Sequence, residues 1–302
     1  MSFSVTVLGS GAATPTSTRN PSGMLVKMEN HYFLVDCGEG TQMQINRFNL
    51  KGQRINHIFI SHLHGDHFFG LIGLISTFHL LGRKETLHIY SDPALREIIE
   101  LQLRHTQTIL VYPIDFHPFT TAPETLFEDE NMIVSTIPLE HRITATGFLF
   151  AEKQKPRKIR KELVKSEAIT VHEIKEIKAG KDFISKTGKV YPNQQITISP
   201  APARSFAYCS DTRFSEEIIK HIQGVTLLYH EASFMEDKAD AAREKYHSTA
   251  RQAATVALKS NAGKLLIGHF SARYKDLSEM LKEATEVFEN TILAEDGMTL
   301  CI

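Results

Sequence analysis

The sequence predicts an α/β fold, and two observations carry that prediction. Short apolar, β-branched runs alternate along the 302 residues with stretches whose apolar positions recur at helical spacing. In addition, His62, His141, Asp211, Glu231 and His269 each follow an apolar run, at what would be the C-terminal edge of a strand. Layered α/β folds collect their sites at such edges.

The elements follow in order. Phe3, Val5 and Val7 alternate with Ser2, Ser4 and Thr6, so the chain opens with a strand, closed by Gly9-Ser10-Gly11. A polar loop, Thr14 to Pro21, leads to a hairpin of Met24–Met28 and His31–Val35 around Glu29-Asn30. Asp36-Cys37-Gly38-Glu39-Gly40-Thr41 ends that strand and opens a helix over Gln42–Phe48; its acidic residues serve as caps or as supports to a nearby site. Ile55–Ile60 is a buried strand, and a helix over Phe68–Leu81 follows the loop after it. Leu87–Tyr90 is a short strand, and Asp92-Pro93 starts a helix to about Arg104. Strands are expected at Thr108–Ile114, Met132–Pro138 and Gly147–Ala151. Beyond a change of character at residues 152–194, further strands are expected at Arg204–Cys209, Val225–Tyr229 and Lys264–Ile267. Helices are expected at Ser248–Ser260 and Leu277–Phe288, with a short strand at the tail.

Composition bounds the rest. With 42% hydrophobic and 23% charged residues the chain is an ordinary globular one, of a length for one large domain or two small ones. No apolar run reaches the length of a membrane span, and Met1-Ser2-Phe3-Ser4-Val5 lacks the basic start of a signal peptide. Cys37, Cys209 and Cys301 form no C-x-x-C pair and read as small buried residues of a reduced, cytoplasmic protein. The net charge is −1, but Lys153, Lys155, Arg157, Lys158, Arg160, Lys161 and Lys165 stand together against Glu152 and Glu162. Residues 152–194 therefore read as a basic insertion, with too few apolar residues for a core of its own, suited to gripping phosphates.

The loop Ser61-His62-Leu63-His64-Gly65-Asp66-His67 places four metal-capable side chains within six positions. Residues two apart in extended chain face the same way, so His62 and His64 can grip one ion, while Asp66 and His67 can face a second. Nitrogens with a carboxylate suit zinc or another divalent transition ion, manganese and iron included. The H-E-x-x-H motif of helical zinc peptidases is absent.

His-x-His-x-Asp-His is the signature of the metallo-β-lactamase superfamily. With Leu139 to Arg142, Ser210 to Thr212, His230 to Ser233, His247-Ser248-Thr249 and Gly268 to Tyr274, the whole chain resembles the short-form tRNase Z (ribonuclease Z) family. The resemblance implies an αββα sandwich of two mixed sheets flanked by helices, formed by residues 1–302, with residues 152–194 protruding as a basic arm that binds tRNA. It implies two Zn²⁺ per subunit. One would be held by His62, His64 and His141, the other by Asp66, His67 and His269, with Asp211 bridging. Asp66 would orient or deprotonate the nucleophile, and His247, held by Glu231, would assist the leaving 3′ oxygen. The substrate would be precursor tRNA, cut after the discriminator nucleotide to leave a 3′-OH on tRNA and a 5′-phosphate on the trailer. Lys153, Lys155, Arg157, Lys158, Arg160, Lys161, Arg19 and Arg273 are the candidate RNA contacts, and the protein would be a homodimer.

The chain departs from the family at two places. Where short-form enzymes carry Pro-x-Lys-x-Arg-Asn, it has Pro15-Thr16-Ser17-Thr18-Arg19-Asn20, so discrimination against CCA-ended tRNA is expected to be weakened. In the arm, Ala168-Ile169-Thr170-Val171-His172 stands where a Gly-Pro element is expected. Two other readings are weighed against the nuclease: a phosphodiesterase of the superfamily for small or cyclic nucleotide esters, and a non-catalytic, metal-stabilised RNA-binding module. The arm favours a large polyanion over the first. A binding module has no use for His247 and Glu231 beside an open metal pair.

Overall fold

A computed structural model describes residues 2–162 and 169–302; Lys165 and Ala168, named above, lie outside them. The chain divides into two compact units, one of residues 1–128, 133–150 and 205–302, the other of residues 129–132 and 151–204. The α/β expectation holds: two seven-stranded sheets, each mixed, make up most of the strand content.

The first sheet runs in the order Thr299–Cys301, Phe3–Gly9, Gly23–Met28, His31–Cys37, Ile55–Phe59, Leu87–Ser91, Ile114–Pro118. Its first half is antiparallel and its second half parallel. The second runs Thr291–Leu293, Leu265–Gly268, Leu227–Glu231, Ser205–Cys209, Thr146–Glu152, Met132–Pro138, Thr125–Glu128, with its first four strands parallel. Alternation decides which side chains face which layer. Phe33 and Phe59 of the first sheet meet Phe150 and Phe148 of the second at centroid separations of 5.5 and 5.4 Å. On the opposite face of the first sheet Leu34, Ile58 and Ile89 join Leu71, Leu74, Phe78, Leu95 and Ile99 of the helices in one core. Helices Ala250–Lys259 and Ser278–Thr285 pack on the second sheet. The result is the αββα order, and the interior parallel strand Leu265–Gly268, buried along its whole length, is apolar throughout.

Several boundaries differ from expectation for identifiable reasons. The helix expected over Phe68–Leu81 is two, Gly65–Phe68 and Leu71–Leu80. Gly70 N–H leaves the helical ladder and donates to Cys37 O at 2.9 Å. A Cβ on Gly70 would stand 2.1 Å from Gly38 O, so only glycine allows this approach. The strand expected at Thr108–Ile114 lies instead at Ile114–Pro118. Ile109 is 88% exposed, and Pro113, which has no N–H to give a ladder, stands just before the true strand. Strand Thr125–Glu128 and helices Glu216–His221 and Ala239–Glu244 were not anticipated. Cys37 and Cys209 are buried as expected, whereas Cys301, on the edge strand, is exposed.

The smaller unit contains two two-stranded ribbons, Lys158–Ile159 with Thr197–Ile198 and Phe183–Ile184 with Val190–Tyr191. Its helix Val171–Lys178 starts at a capping box of Thr170 and Glu173. The expected breakers act as such: Gly180 and Gly188 take positive φ in turns, and Pro192 precedes a helical turn at Asn193–Ile196. Its apolar residues nonetheless suffice for a small core, because Ile169, Ile177, Phe183 and Ile196 bury together against Ile159, Ile174 and Tyr191. Among the described residues no helix is long and apolar enough to cross a membrane.

Candidate metal centre

All the side chains singled out as ligands come from the larger unit, from the chain beyond the C-terminal end of a strand or from the short helix Gly65–Phe68. Strand Ile55–Phe59 runs out into extended chain at His62 and His64, which therefore face one way; the turn at Gly65 then starts the short helix that carries Asp66 and His67. His141 follows strand Met132–Pro138, Asp211 follows Ser205–Cys209, and His269 follows Leu265–Gly268.

The side chains form two sets sharing one carboxylate. His64 Nδ1 lies 3.0 Å from His62 Nε2 and 3.1 Å from His141 Nε2. Asp211 Oδ2 faces this set, 3.5 Å from His62 Nε2 and 3.8 Å from His141 Nε2. Its Oδ1 faces the other way, 3.2 Å from His67 Nε2 and 3.1 Å from His269 Nε2. Asp66 Oδ2 completes the second set, 3.5 Å from His67 Nε2 and 3.4 Å from His269 Nε2. Ligands about 2.1 Å from one zinc ion lie roughly 3–3.5 Å from one another, so both sets have the spacing of a coordination shell. The charge balance agrees. Burial, with His67 beside it, holds His62 well below the usual histidine range; burial likewise lowers His64 and His141. Their rings are therefore neutral and have lone pairs to give. Burial would lower His67 too, but Asp211 and Asp36 outweigh it and raise its proton affinity, an environment that equally attracts a cation.

Four of the five rings, those of His67, His62, His141 and His269, are tied at their other nitrogen. His67 Nδ1 donates to Asp36 Oδ2 at 2.7 Å, which leaves Nε2 as the ligand atom. Asp36 also accepts from Ser61 N, Ser61 Oγ and Tyr208 OH at 2.8, 2.9 and 2.7 Å. His62 Nδ1 meets Ser61 Oγ at 3.0 Å, His141 Nδ1 donates to Tyr246 O at 3.1 Å, and His269 Nδ1 meets Ser233 Oγ at 3.0 Å. Of the acidic residues around Cys37, Asp36, the penultimate residue of strand His31–Cys37, is the support. Ser61, Tyr208 and Ser233 carried no such role in the sequence reading. The signal available was the need of every ligating ring for a partner at its second nitrogen.

His247 stands beside the centre with its Nδ1 donating to Glu231 Oε1 at 2.7 Å. Glu231, wholly buried, also accepts Thr212 N at 3.0 Å and Ser233 N at 3.1 Å. Burial would lower the His247 imidazole, but the Glu231 charge and hydrogen bond outweigh it and lift it to about 9. Burial would raise the Asp66 carboxyl, but the His269 hydrogen bond and the charges of His67 and His269 hold it well below the usual range. Its Oδ2 also accepts Ala13 N at 2.8 Å. Asp66, Asp211, His247 and His269 open on a cleft of about 540 Å³ lined also by Phe69, Phe234, Arg142, Lys245 and Arg273.

The candidate RNA contacts are placed unequally. Arg273 lines the cleft, with its guanidinium 4.8 Å over the Phe234 ring. Arg19 does not line it, and donates to Tyr274 O at 2.6 Å. Lys158, Arg160 and Lys161 are exposed on the smaller unit. Lys153, Lys155 and Arg157 are half-buried. Lys153 Nζ donates to Asp129 O at 2.6 Å, and Arg157 donates to Thr197 Oγ1 and Ser199 Oγ at 2.6 and 2.8 Å. Ser17 is exposed at the tip of a tight turn in which Thr16 Oγ1 accepts Arg19 N at 2.9 Å.

Residues 3–154 match the protein-family model described as Anti-Pycsar protein Apyc1. Over 301 residues the chain is 48% identical to Ribonuclease Z of Bacteroides fragilis (strain YCH46), covering 99% of this chain and 98% of that protein. It is 47% identical, also over 301 residues, to Ribonuclease Z of Bacteroides thetaiotaomicron, covering 99% and 95%. The crystal structure of human tRNase Z, short form, is similar at a TM-score of 0.73 and 30% identity, over 98% of each chain. The metallo-β-lactamase fold protein YhfI from Bacillus subtilis shares the fold at a TM-score of 0.70 and 18% identity, over 100% of each chain. By these full-length likenesses the chain belongs to the ribonuclease Z family, with its first half shared with the Anti-Pycsar protein Apyc1 family.

Proposed function

We propose that this chain is a metal-dependent endoribonuclease that removes the 3′ trailer of precursor tRNA. The cut falls after the discriminator nucleotide, leaving a 3′-OH on tRNA and a 5′-phosphate on the trailer. The observation that carries the reading is the division of Asp211, one oxygen toward His62 and His141 and the other toward His67 and His269. A carboxylate so divided is suited to bridging two ions. His62, His64 and His141 would hold one Zn²⁺ and Asp66, His67 and His269 the other. When bound, such a pair lowers the pKa of a shared water and neutralises charge growing on a phosphoryl oxygen.

The protein's own groups do the rest. Asp66, kept ionised, accepts a hydrogen bond from the attacking water and fixes its direction. His247 spends Nδ1 on Glu231, which leaves Nε2 to give its proton to the departing 3′ oxygen. The charge and hydrogen bond of Glu231 raise the proton affinity of that imidazole, which favours the acid form. Arg273, Arg142 and Lys245 supply positive charge for the phosphates that enter the cleft. The basic arm, residues 152–194, grips the tRNA body through Lys158, Arg160 and Lys161. A homodimer in the cytoplasm, the arm of one subunit holding the tRNA cut by the other, completes the proposal.

The test is a 3′-extended precursor tRNA incubated with purified protein and mapped to the nucleotide. A single cut after the discriminator supports the reading, and uncut RNA or scattered cleavage refutes it. Exchanging Lys158, Arg160 and Lys161 for glutamate separates the nuclease from a small-ester phosphodiesterase. Loss of tRNA cleavage with intact turnover of a bis-aryl phosphodiester favours the nuclease, and no loss of either favours the small substrate. Light scattering decides the dimer.

A further inference from the structure

Away from the centre just described, and sharing no residue with it, a second gathering of ligand-type side chains lies on the first sheet. His88 stands on strand Leu87–Ser91, and Asp115 and His117 stand on the edge strand Ile114–Pro118. The parallel register sets His88 beside Asp115 and Tyr90 beside His117, so all four side chains emerge on one face. His88 Nδ1 lies 3.0 Å from His117 Nε2. Asp115 Oδ2 lies 3.3 Å from His117 Nε2 and 3.6 Å from His88 Nδ1. All three donor atoms thus converge on one point.

We infer that His88, Asp115 and His117 form a further metal site, for a borderline divalent transition ion of the zinc class, independent of the catalytic pair. Three arguments support it. The donor separations match those of two nitrogens and one oxygen about 2.1 Å from a common ion. A set of two imidazoles and one carboxylate selects such an ion over magnesium or calcium, which take oxygen shells. The rings are also held in place beforehand: His57 stacks on His88 at 4.9 Å and 14°, and Tyr90 stacks on His117 at 4.5 Å and 15°. Tyr90 OH in turn meets His57 Nδ1 at 3.3 Å. All three ligands are partly open to solvent, so water can complete the shell. An ion there would clip the outermost strand of the sheet to its neighbour, at the edge where pairing is otherwise weakest.

A proton shared between the two rings is the competing account, and metal counting separates the two. Purified protein is equilibrated with Zn²⁺, desalted and analysed for bound metal, beside His117→Phe, which keeps a ring on Tyr90, and Asp115→Asn, which keeps the shape. Each variant is expected to hold one ion fewer per chain than the wild type. Both should keep wild-type circular dichroism and wild-type cleavage of precursor tRNA, since neither residue touches the cleft. Equal metal content in the wild type and both variants would overturn the site. So would a thermal midpoint that responds to added Zn²⁺ identically in all three proteins. The count is read without reference to activity, so it stands or falls apart from the nuclease assignment.

Discussion

Asp36→Asn is the sharpest test of how the centre is held. The carboxylate is wholly buried and accepts four hydrogen bonds, three at Oδ2 from His67 Nδ1, Ser61 Oγ and Tyr208 OH, and one at Oδ1 from Ser61 N. An asparagine keeps the shape but must turn an NH₂ toward one side or the other. Facing Ser61 N it meets one donor; facing the opposite group it meets three. Either way at least one buried donor loses its acceptor, at a cost of about 1–3 kcal/mol. The imidazole of His67 also loses the anion that keeps its proton on Nδ1, and support of this kind contributes about 10–100-fold in metal affinity. The expected result is a lower urea midpoint together with metal released to a competing chelator at least about tenfold more readily, while His62, His64 and His141 keep their geometry. Unchanged chelator competition in a folded variant would refute the claim that Asp36 sets the His67 tautomer.

The remaining predictions are briefer. His247→Ala should bind precursor tRNA as the wild type does and lose about 10²–10⁴-fold in single-turnover cleavage; undiminished cleavage would remove it from the proton path. Asp211→Ala should lose bound metal as well as activity by elemental analysis, and full retention of metal would end its bridging role. Ser17→Lys should make CCA-ended tRNA a poorer substrate relative to a trailer-bearing one, so equal discrimination by both proteins counts against the weakened-selectivity reading. In native protein at pH 8, Cys301 alone should react with an alkylating reagent on mass mapping. Burial pushes the Cys37 thiol up to about 12, with Cys209 also raised, so the reactive thiolate is scarce until pH rises well beyond neutrality.

What was legible in the sequence was whatever announces itself locally. The alternation of Phe3, Val5 and Val7 and the Glu29-Asn30 turn mark their strands locally, although the structure buries both faces of each. His62, His64, Asp66 and His67 betray themselves by spacing alone. The break at Gly70 was not legible, because it answers to a carbonyl of Cys37 more than thirty positions earlier. Ile109 and Val111 imitate a buried alternation while lying exposed, so the local pattern points to a strand before Pro113 where the structure begins one only at Ile114. Ser61, Tyr208 and Ser233 give no local signal, because serine and tyrosine have many ordinary uses, and only convergence of the strands reveals which acceptor or ring they serve. The small core of the second unit is illegible for a related reason, since Ile169, Ile177, Phe183 and Ile196 show no local period and meet only in space.

Convergence at strand ends has a backbone cost that the sequence also hides. Asp36, Asp211 and His269 hold φ values of 55°, 53° and 56°, the left-handed region that side chains other than glycine seldom occupy. Such residues cost on the order of 1 kcal/mol or more each, and they persist only where the surroundings over-determine them. Glycine would relieve the strain and abolish the ligand or its support. Aspartate and histidine are among the residues that tolerate this region best, and they are also the residues this chemistry requires. The left-handed step lets a strand end abruptly and turns its next side chain out of the sheet's up-and-down alternation into the gap beyond the edge. Ser205–Cys209 and Leu265–Gly268 take that step just past their ends, and His31–Cys37 takes it at Asp36, a bulge one residue before its last. The parallel register of Ser205–Cys209, Leu227–Glu231 and Leu265–Gly268 brings two of those ends level, which is why Asp211 and His269 can stand 3.1 Å apart though fifty-eight positions separate them in the chain.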